Sequence, residues 1–559
     1  MADMKHVDPV DQAVIAQGLI AAAKEMGVKL VRSAYSPVVR EANDCSAALL
    51  DRFGNVVAQA ELIPMQLGPI GTTFRPCAEL YPPEELEEGD FYINNDPYHG
   101  GQHVPDVFLF SPIFFDGTLI GFSASVAHHL DLGGGAPGLN PDATDVHQEG
   151  IIFPPSKYNL QRDWHGGPFE RLVRANIRVP NETIGDFNAQ FAANGMGAKR
   201  VQDLAAKFGA ETVMAAMQGL LDYSEKRMRA AIEAAPDGVY TGEDALDDDG
   251  ISDAPLPVRA TVTIDGDQVS VDFTGTCDQV KTNLNCPVAS TIAAALSCVK
   301  SVLTSPDIPF NEGSKRPIEI SAPYGSLLNP RPPAPVRARM LSGYRAFNAV
   351  MKALARAVPG RVIAAGYDTT EVVCMSHLGP EGYRIYLEIF GGGYGASAMR
   401  DGCDAVDSPL SNCGNVPVEA MDMAYDFFRV ESYGLRPNSG GHGRYRGGLG
   451  FVRKYLITKD DVDFATYADR FRIAPEGLYG GGPGATGRTH VERGGERIEL
   501  ASKQSFKLRR GDVLVMATGG GAGYGEAAAR ADDQSTRDLA DGLVSGAVAG
   551  RDTAATAAE

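Results

Sequence analysis

Residues 94–131 read NNDPYHGGQHVPDVFLFSPIFFDGTLIGFSASVAHHLD. Two apolar runs, VFLFSPIFF (107–115) and LIGFSASVA (119–127), flank Asp116-Gly117, a dipeptide suited to the backbone of a tight turn. The pattern predicts a hairpin or sheet segment with its polar residues at strand ends and turns. Those ends carry His99, His103, Asp106, His128, His129 and Asp131, and DVHQEG follows at 145–150. Five of the ten histidines lie between His99 and His147, so the enrichment is local rather than spread over the 559 residues. Imidazoles and carboxylates among glycine turns and apolar strands are the composition of a metal or acid/base site.

A metal such as zinc takes three or four nitrogen, oxygen or sulfur ligands at roughly 2.0–2.2 Å. His103 and Asp106 form a His-x-x-Asp pair, and Pro105 between them places the pair on a loop or extended turn. His128 and His129 are adjacent, and adjacent strand residues face opposite sides, so one is a ligand candidate and the other points elsewhere. Asp131 and Glu149 are carboxylates placed to hold a ligand imidazole or to act as general base. Two histidines with one carboxylate also fit a non-haem iron site, and a polar loop of hydrogen-bonded histidines is the plainest reading. Cys45, in an apolar run, reads as a small buried residue.

Around this segment the chain alternates helical and strand patterns. Residues 10–33 have helical apolar spacing. SAALLD (46–51) and NVVAQAEL (55–62) form a second expected hairpin, and VRATVTIDGDQVSVDFTGT (258–276) a third around Asp265-Gly266. Residues 197–235, 288–303 and 344–357 are expected helices. Beyond about 385, FGGGYGAS, NSGGHGRYRGGLG, YGGGPGATG and ATGGGAGYG are interleaved with alternating strands and read as turns and close backbone approaches. The expected fold class is mixed α and β (α+β), multidomain, with a strand- and glycine-rich C-terminal half. The expected regions are 1–195 (metal site), 196–255 (helical), 256–385 (α/β), 386–530 (glycine-rich β) and 531–559 (C-terminal helix and tail). The Ala/Thr-rich end, SGAVAGRDTAATAAE, is expected to fray.

A net charge of −20 argues against nucleic acid or an anionic membrane as partner. No apolar run is long enough for a membrane span, and the first residues lack the basic start of a signal peptide. Eight cysteines without Cys-x-x-Cys spacing argue against a zinc ribbon or a disulfide framework, so the cytoplasm is the expected compartment. The triple glycines at 133–135, 391–393 and 519–521 are not followed by the lysine and helix of a phosphate-binding loop, so the chain is not expected to bind ATP alone.

Ten strings, in order, carry a resemblance: REANDCSAALLD, NNDPYHGGQHVPDV, AHHLDLGGGAPG, HQEGIIFPPSK, NIRVPNETIGDFNAQ, VDFTGT, DIPFNEGSKRPIEI, FGGGYGAS, NSGGHGRYRGGLG and GGGAGYG. With these the chain resembles the hydantoinase B/oxoprolinase family from about residue 9 to about residue 545. The resemblance implies a subunit of an ATP-dependent cyclic-amide hydrolase acting on hydantoin, 5-oxoproline or a lactam. It implies a hydantoinase A-type ATP-binding partner in a heterotetramer, with ATP and Mg bound there. That partner would phosphorylate the substrate carbonyl, and a metal-bound hydroxide in this chain would attack the activated carbon. The alternative is a subunit of an ATP-dependent ketone carboxylase of the acetone or acetophenone type. The family's metal motif falls on His103, Asp106 and His128 and adds Asp44, a set suited to zinc or manganese. Asp131 or Glu149 would then orient an imidazole or move the proton. One departure is visible: Gln66, in PMQLGPIG, stands where many relatives have histidine, and it cannot act as an acid or base near neutral pH.

Overall fold

The computed structural model describes residues 7–60 and 62–545. The Ala/Thr-rich tail from 546 onward and the first six residues lie outside the described residues. Helices and strands are mixed throughout, as the sequence pattern predicts.

The site-bearing sheet has six strands: β1 (Cys45–Asp51), β2 (Val56–Ala60), β3 (Asp90–Asn94), β4 (Asp106–Phe115), β5 (Thr118–His128) and β6 (Ser156–Asn159). Their order is β2-β1-β5-β4-β3-β6, and all neighbours are antiparallel. The β4–β5 hairpin closes where the sequence predicts. Phe115 pairs with Thr118, leaving Asp116-Gly117 as the loop, with φ of 47° and 75°. Two positive φ values make the turn whose twist matches that of the strands it joins.

Strand β1 is buried along its whole length because both faces of the sheet are covered. Ala47 and Leu49 pack with Ile15, Leu19 and Met26 of the Pro9–Ser33 helix. Ala48 and Leu50, pointing the other way, pack with Phe74, Phe108, Phe110 and Phe122. Full burial of each such side chain contributes roughly 1.5–3 kcal/mol. Asp8 caps the Pro9–Ser33 helix, its carboxylate accepting from the Val10 amide at 2.9 Å.

The helical stretch expected over 197–235 is two helices, Pro180–Phe208 and Ala210–Glu233. Gly209, at φ 85°, ends the first, a conformation other residues rarely adopt. The first helix starts earlier than its periodicity indicates, because its buried face carries polar residues. Asp186 accepts from the Tyr35 and Ser36 amides, Gln190 donates to the Val107 carbonyl, and Asn194 donates to the Leu109 carbonyl. Burial of such groups is tolerated when they are hydrogen-bonded, but it erases the apolar period.

The described chain forms two compact units. The first comprises Met1–Asp244, Val258–Ala353 and Leu378–Leu387, and the second Ala245–Pro257, Leu354–His377 and Glu388–Glu559, so far as described. The third expected hairpin is present: Asp265 pairs with Gln268 across a loop of Gly266 and Asp267. Helix Val288–Leu303 and most of helix Arg339–Ala357 complete the first unit's main elements. Among the described residues no helix is long and apolar enough to cross a membrane.

The second unit holds a five-stranded sheet, ordered Phe428–Leu435, Phe451–Ile457, Val513–Ala517, Arg488–Arg493, Glu496–Leu500. Its glycine segments stack backbone on backbone. The Gly448 amide donates to the Tyr394 carbonyl at 2.9 Å, Gly521 to Gly448 at 2.9 Å and Gly393 to Gly519 at 3.0 Å. No side chain separates these layers, so the peptide groups satisfy one another directly.

Buried in this unit, Glu371 accepts from the Tyr367 hydroxyl at 3.0 Å and the Thr489 hydroxyl at 3.2 Å. Burial outweighs these bonds and raises its pKa to about 7. A carboxyl titrating near 7 when folded, and near 4.5 when unfolded, binds its proton more tightly in the folded state. Its contribution is therefore fully present below about pH 4.5 and is lost as pH rises through about 7. Glu371→Gln, which is neutral at every pH, is expected to gain stability relative to the wild type over that interval, by up to about 3 kcal/mol. Denaturant melts of both proteins from pH 4.5 to 8 test this, and a constant difference between them would refute it.

Candidate metal centre

The hairpin that decides the fold also builds the site. Asp106 opens β4 and His128 closes β5, and the two are direct cross-strand partners. His103 sits one turn before Asp106, whose amide donates to the His103 carbonyl at 3.1 Å. On the other side Cys45 pairs with Ala127, which sets Asp44 beside His128. Asn43, at φ 60°, turns the chain into that strand.

His103, Asp106 and His128 thus each bring one possible ligand atom within 4.8 Å of the others, and all three are buried. His103 Nε2 lies 3.2 Å from Asp106 Oδ1, and His128 Nδ1 lies 3.4 Å from the same oxygen and 3.6 Å from Asp44 Oδ2. His103 Nε2, Asp106 Oδ1 and His128 Nε2 are buried without a hydrogen-bond partner. Unsatisfied buried atoms are costly, and two of these, His103 Nε2 and Asp106 Oδ1, face each other beside His128 Nδ1, an arrangement that fits a cation.

The electrostatics agree. Burial and the Arg339 guanidinium lower the His103 pKa to about 3, so its imidazole is neutral. Burial lowers that of His128 too. Burial alone would raise the Asp106 carboxyl, but the groups around it, the Arg339 guanidinium at 2.6 Å among them, hold it well below the usual range. Neutral imidazoles and an ionised carboxylate are the states that bind a divalent metal.

The surrounding groups orient these side chains. His103 Nδ1 lies 3.0 Å from the Arg337 carbonyl and 2.9 Å from Arg339 Nη1. Nδ1 thus meets an acceptor and a donor, and these contacts hold the ring with Nε2 toward Asp106 Oδ1. Arg339 Nη2 donates to Asp106 Oδ2 at 2.6 Å, so the other carboxylate oxygen faces the histidines. Gln66 Nε2 donates to Asp44 Oδ1 at 2.8 Å, which fixes the carboxylate without any acid or base group.

The remaining sequence candidates lie apart. His129 faces the other side of the sheet, its Nε2 3.0 Å from Gln190 Oε1 and its ring 4.2 Å from that of Phe187. Asp131 accepts from the Arg178 amide and guanidinium at 2.7 and 2.9 Å. Glu149 Oε1 accepts from the Val336 and Arg337 amides, both at 2.8 Å, while Oε2 is buried without a partner. His99 pairs with Asp96 at the surface, and His147 is exposed. Cys45 is buried, and burial raises its thiol pKa well above the ordinary value.

Sequence reasoning missed Arg337 and Arg339. The one available signal was a pair of arginines at the start of an apolar helix, where the helix dipole disfavours positive charge.

The family profile described as hydantoinase B/oxoprolinase matches residues 8–527. A protein of Pseudomonas sp. strain NS671, provisionally named as the B-type component of a D-/L-hydantoinase, is 37% identical over 97% of this chain and 94% of its own length. The beta chain of the caprolactamase of Pseudomonas jessenii is 28% identical over 97% of this chain and 95% of its own. 5-Oxoprolinase 1 of Arabidopsis thaliana is 30% identical over 93% of this chain, which spans only 42% of that longer protein. The crystal structure of the ATP-dependent caprolactamase from P. jessenii superposes with a TM-score of 0.87 at 26% identity, over 97% of this chain and 95% of that one. Nucleotide-free acetone carboxylase shares the fold at the same TM-score and 19% identity, over 97% of this chain and 79% of that one. With the profile spanning almost the whole described chain, and a relative above 30% identity over nearly its full length, this chain belongs to the hydantoinase B/oxoprolinase family.

Proposed function

We propose that this chain is the metal-containing subunit of an ATP-dependent cyclic-amide hydrolase that opens a hydantoin, 5-oxoproline or lactam ring. The observation that carries the reading is the convergence of the buried side chains of His103, Asp106 and His128, with His103 Nε2 and His128 Nδ1 lying 3.2 and 3.4 Å from Asp106 Oδ1. The names of the relatives, a hydantoinase component, a caprolactamase component and a 5-oxoprolinase, support the substrate class. His103, Asp106, His128 and Asp44 would hold zinc or manganese. When bound, such an ion supplies a water acidic enough to act as nucleophile near neutral pH.

The chain's own groups prepare that site. The Arg337 carbonyl and Arg339 Nη1 hold the His103 ring, and Arg339 and Gln66 each hold one carboxylate in place. Of the two acid/base candidates, Glu149 is the one that keeps a carboxylate oxygen, Oε2, without a hydrogen-bond partner. Asp131, engaged by Arg178, orients the segment that follows His128 and His129.

An amide carbonyl is a poor electrophile, and phosphorylation of its oxygen activates the carbon toward water. The ring C–N bond then breaks as the nitrogen takes a proton, and a second water hydrolyses the acyl phosphate to carboxylate and phosphate. The ATP-binding partner, of the hydantoinase A type, would carry out the phosphorylation with Mg, in the cytoplasm. The purified chain alone is expected to show no turnover of hydantoin, 5-oxoproline or caprolactam. With the partner and ATP, one of these rings is expected to open without bicarbonate. Turnover by the chain alone would sink the two-subunit reading, and an absolute need for bicarbonate would favour ketone carboxylation instead.

A further inference from the structure

Two arginines, Arg337 and Arg339, are buried two residues apart beside the triad, and they differ in one respect. Arg339 is paired with Asp106 at 2.6 Å. Among the described residues, no carboxylate comes within ion-pair distance of the Arg337 guanidinium, although Arg337 is only 5% exposed. Its Nη2 donates to the Gly138 carbonyl at 2.5 Å, and its Nε is buried with no acceptor. Glu149, whose carboxyl feels the Arg337 charge, spends Oε1 on the Val336 and Arg337 backbone amides. The Arg337 carbonyl meets His103 Nδ1 at 3.0 Å, so its residue is built into the wall of the triad.

A buried guanidinium with one neutral partner is strongly disfavoured unless an anion completes it. Anchoring the Gly138 carbonyl needs a single donor, which a neutral side chain supplies at lower cost. The planar fork of arginine matches the paired oxygens of a phosphoryl or carboxylate group.

We infer that Arg337 is the receptor for an oxyanion of the substrate and holds that group beside the His103–Asp106–His128 triad. The inference rests on the function proposed above, in which the substrate arrives phosphorylated. A phosphoryl group on the carbonyl oxygen and a carboxylate on the ring, as in 5-oxoproline, share this chemistry. Neutral cyclic amides reach the receptor only once they carry the phosphoryl group.

The test uses the full-length chain loaded with zinc, with methyl phosphate and acetate as probes in calorimetric titrations. Wild type is expected to bind methyl phosphate, and Arg337→Met to weaken it by about ten- to a hundredfold. Arg337→Lys, which keeps the charge and loses the fork, is expected to fall between them. Zinc content should not change in either variant. The melting temperature of Arg337→Met should not fall far below that of the wild type, because the substitution removes one hydrogen bond and no ion pair. A loss of acetate binding alone in Arg337→Met would support the receptor and identify its oxyanion as the ring carboxylate. Equal binding of both probes by all three proteins, or no binding by wild type, would overturn the inference. Ring opening with partner and ATP separates it from the parent reading. Arg337→Met with unaltered kcat and KM refutes the receptor and leaves the hydrolase standing. No ring opening by wild type refutes the hydrolase and leaves the titration result intact.

Discussion

Asp106→Ala is expected to abolish metal binding and ring opening together, and to destabilise the first unit. Asp106 serves two partners. Oδ1 faces His103 and His128 at 3.2 and 3.4 Å, and Oδ2 takes the Arg339 guanidinium at 2.6 Å. Removing the carboxylate deletes a proposed ligand and leaves Arg339, 4% exposed, as an unpaired buried charge. Breaking a buried pair from one side typically costs about 3–5 kcal/mol. Asp106→Asn keeps the shape and an oxygen for Arg339, so it is expected to lose metal with a smaller loss of stability. The double variant Asp106→Leu/Arg339→Met should recover stability and not metal, since an apolar pair can replace a buried ion pair at little cost. Elemental analysis and thermal melts of the three variants separate these effects. Full metal occupancy in Asp106→Ala would remove Asp106 from the ligand set.

Gly448→Ala is expected to prevent the second unit from folding. A Cβ at this position would lie 1.9 Å from the Cys403 carbonyl oxygen and 2.7 Å from the Tyr394 amide nitrogen. Both neighbours are backbone, so no rotamer change relieves the overlap. The adjoining layers are equally close: a Cβ on Gly393 would meet the Gly448 carbonyl oxygen at 1.9 Å, and one on Gly521 the Tyr394 carbonyl oxygen at 2.1 Å. Displacing one layer therefore breaks hydrogen bonds in the next. Such a substitution belongs with the exceptional cases above about 4 kcal/mol. Gly434→Ala is the control, since nothing lies within 4 Å of its added Cβ. Its expected change is within about 0.5 kcal/mol. Soluble yield and denaturant midpoints of the two variants decide the matter, and near-equal midpoints would show that the glycine layers yield without loss.

Much of the fold was legible because its signals are local. Asp116-Gly117 and Asp265-Gly266 each mark a hairpin, and the apolar spacing of residues 10–33 marks the first helix. The start of the Pro180–Phe208 helix was not legible, because Asp186, Gln190 and Asn194 face inward and bond to the backbone of other segments. The helix at Arg339–Ala357 begins five residues before its apolar period for a related reason: Arg339 and Ser342 are buried through contacts with Asp106 and the Leu284 carbonyl.

The sequence by itself determined the hairpins, the glycine-rich half and the cluster of imidazoles and carboxylates between His99 and His147. Turn chemistry, side-chain period and composition act over a few residues, so they can be read from one chain. Only the tertiary structure decided which of these groups converge. Strand register turned His128 toward Asp106 and His129 toward Gln190. Packing of helices and loops against that sheet left Asp131 with Arg178 and brought Arg339 to Asp106 across 233 residues of chain. Pairings that distant are selected by packing and by the cost of leaving a buried charge unpaired, neither of which any local pattern records.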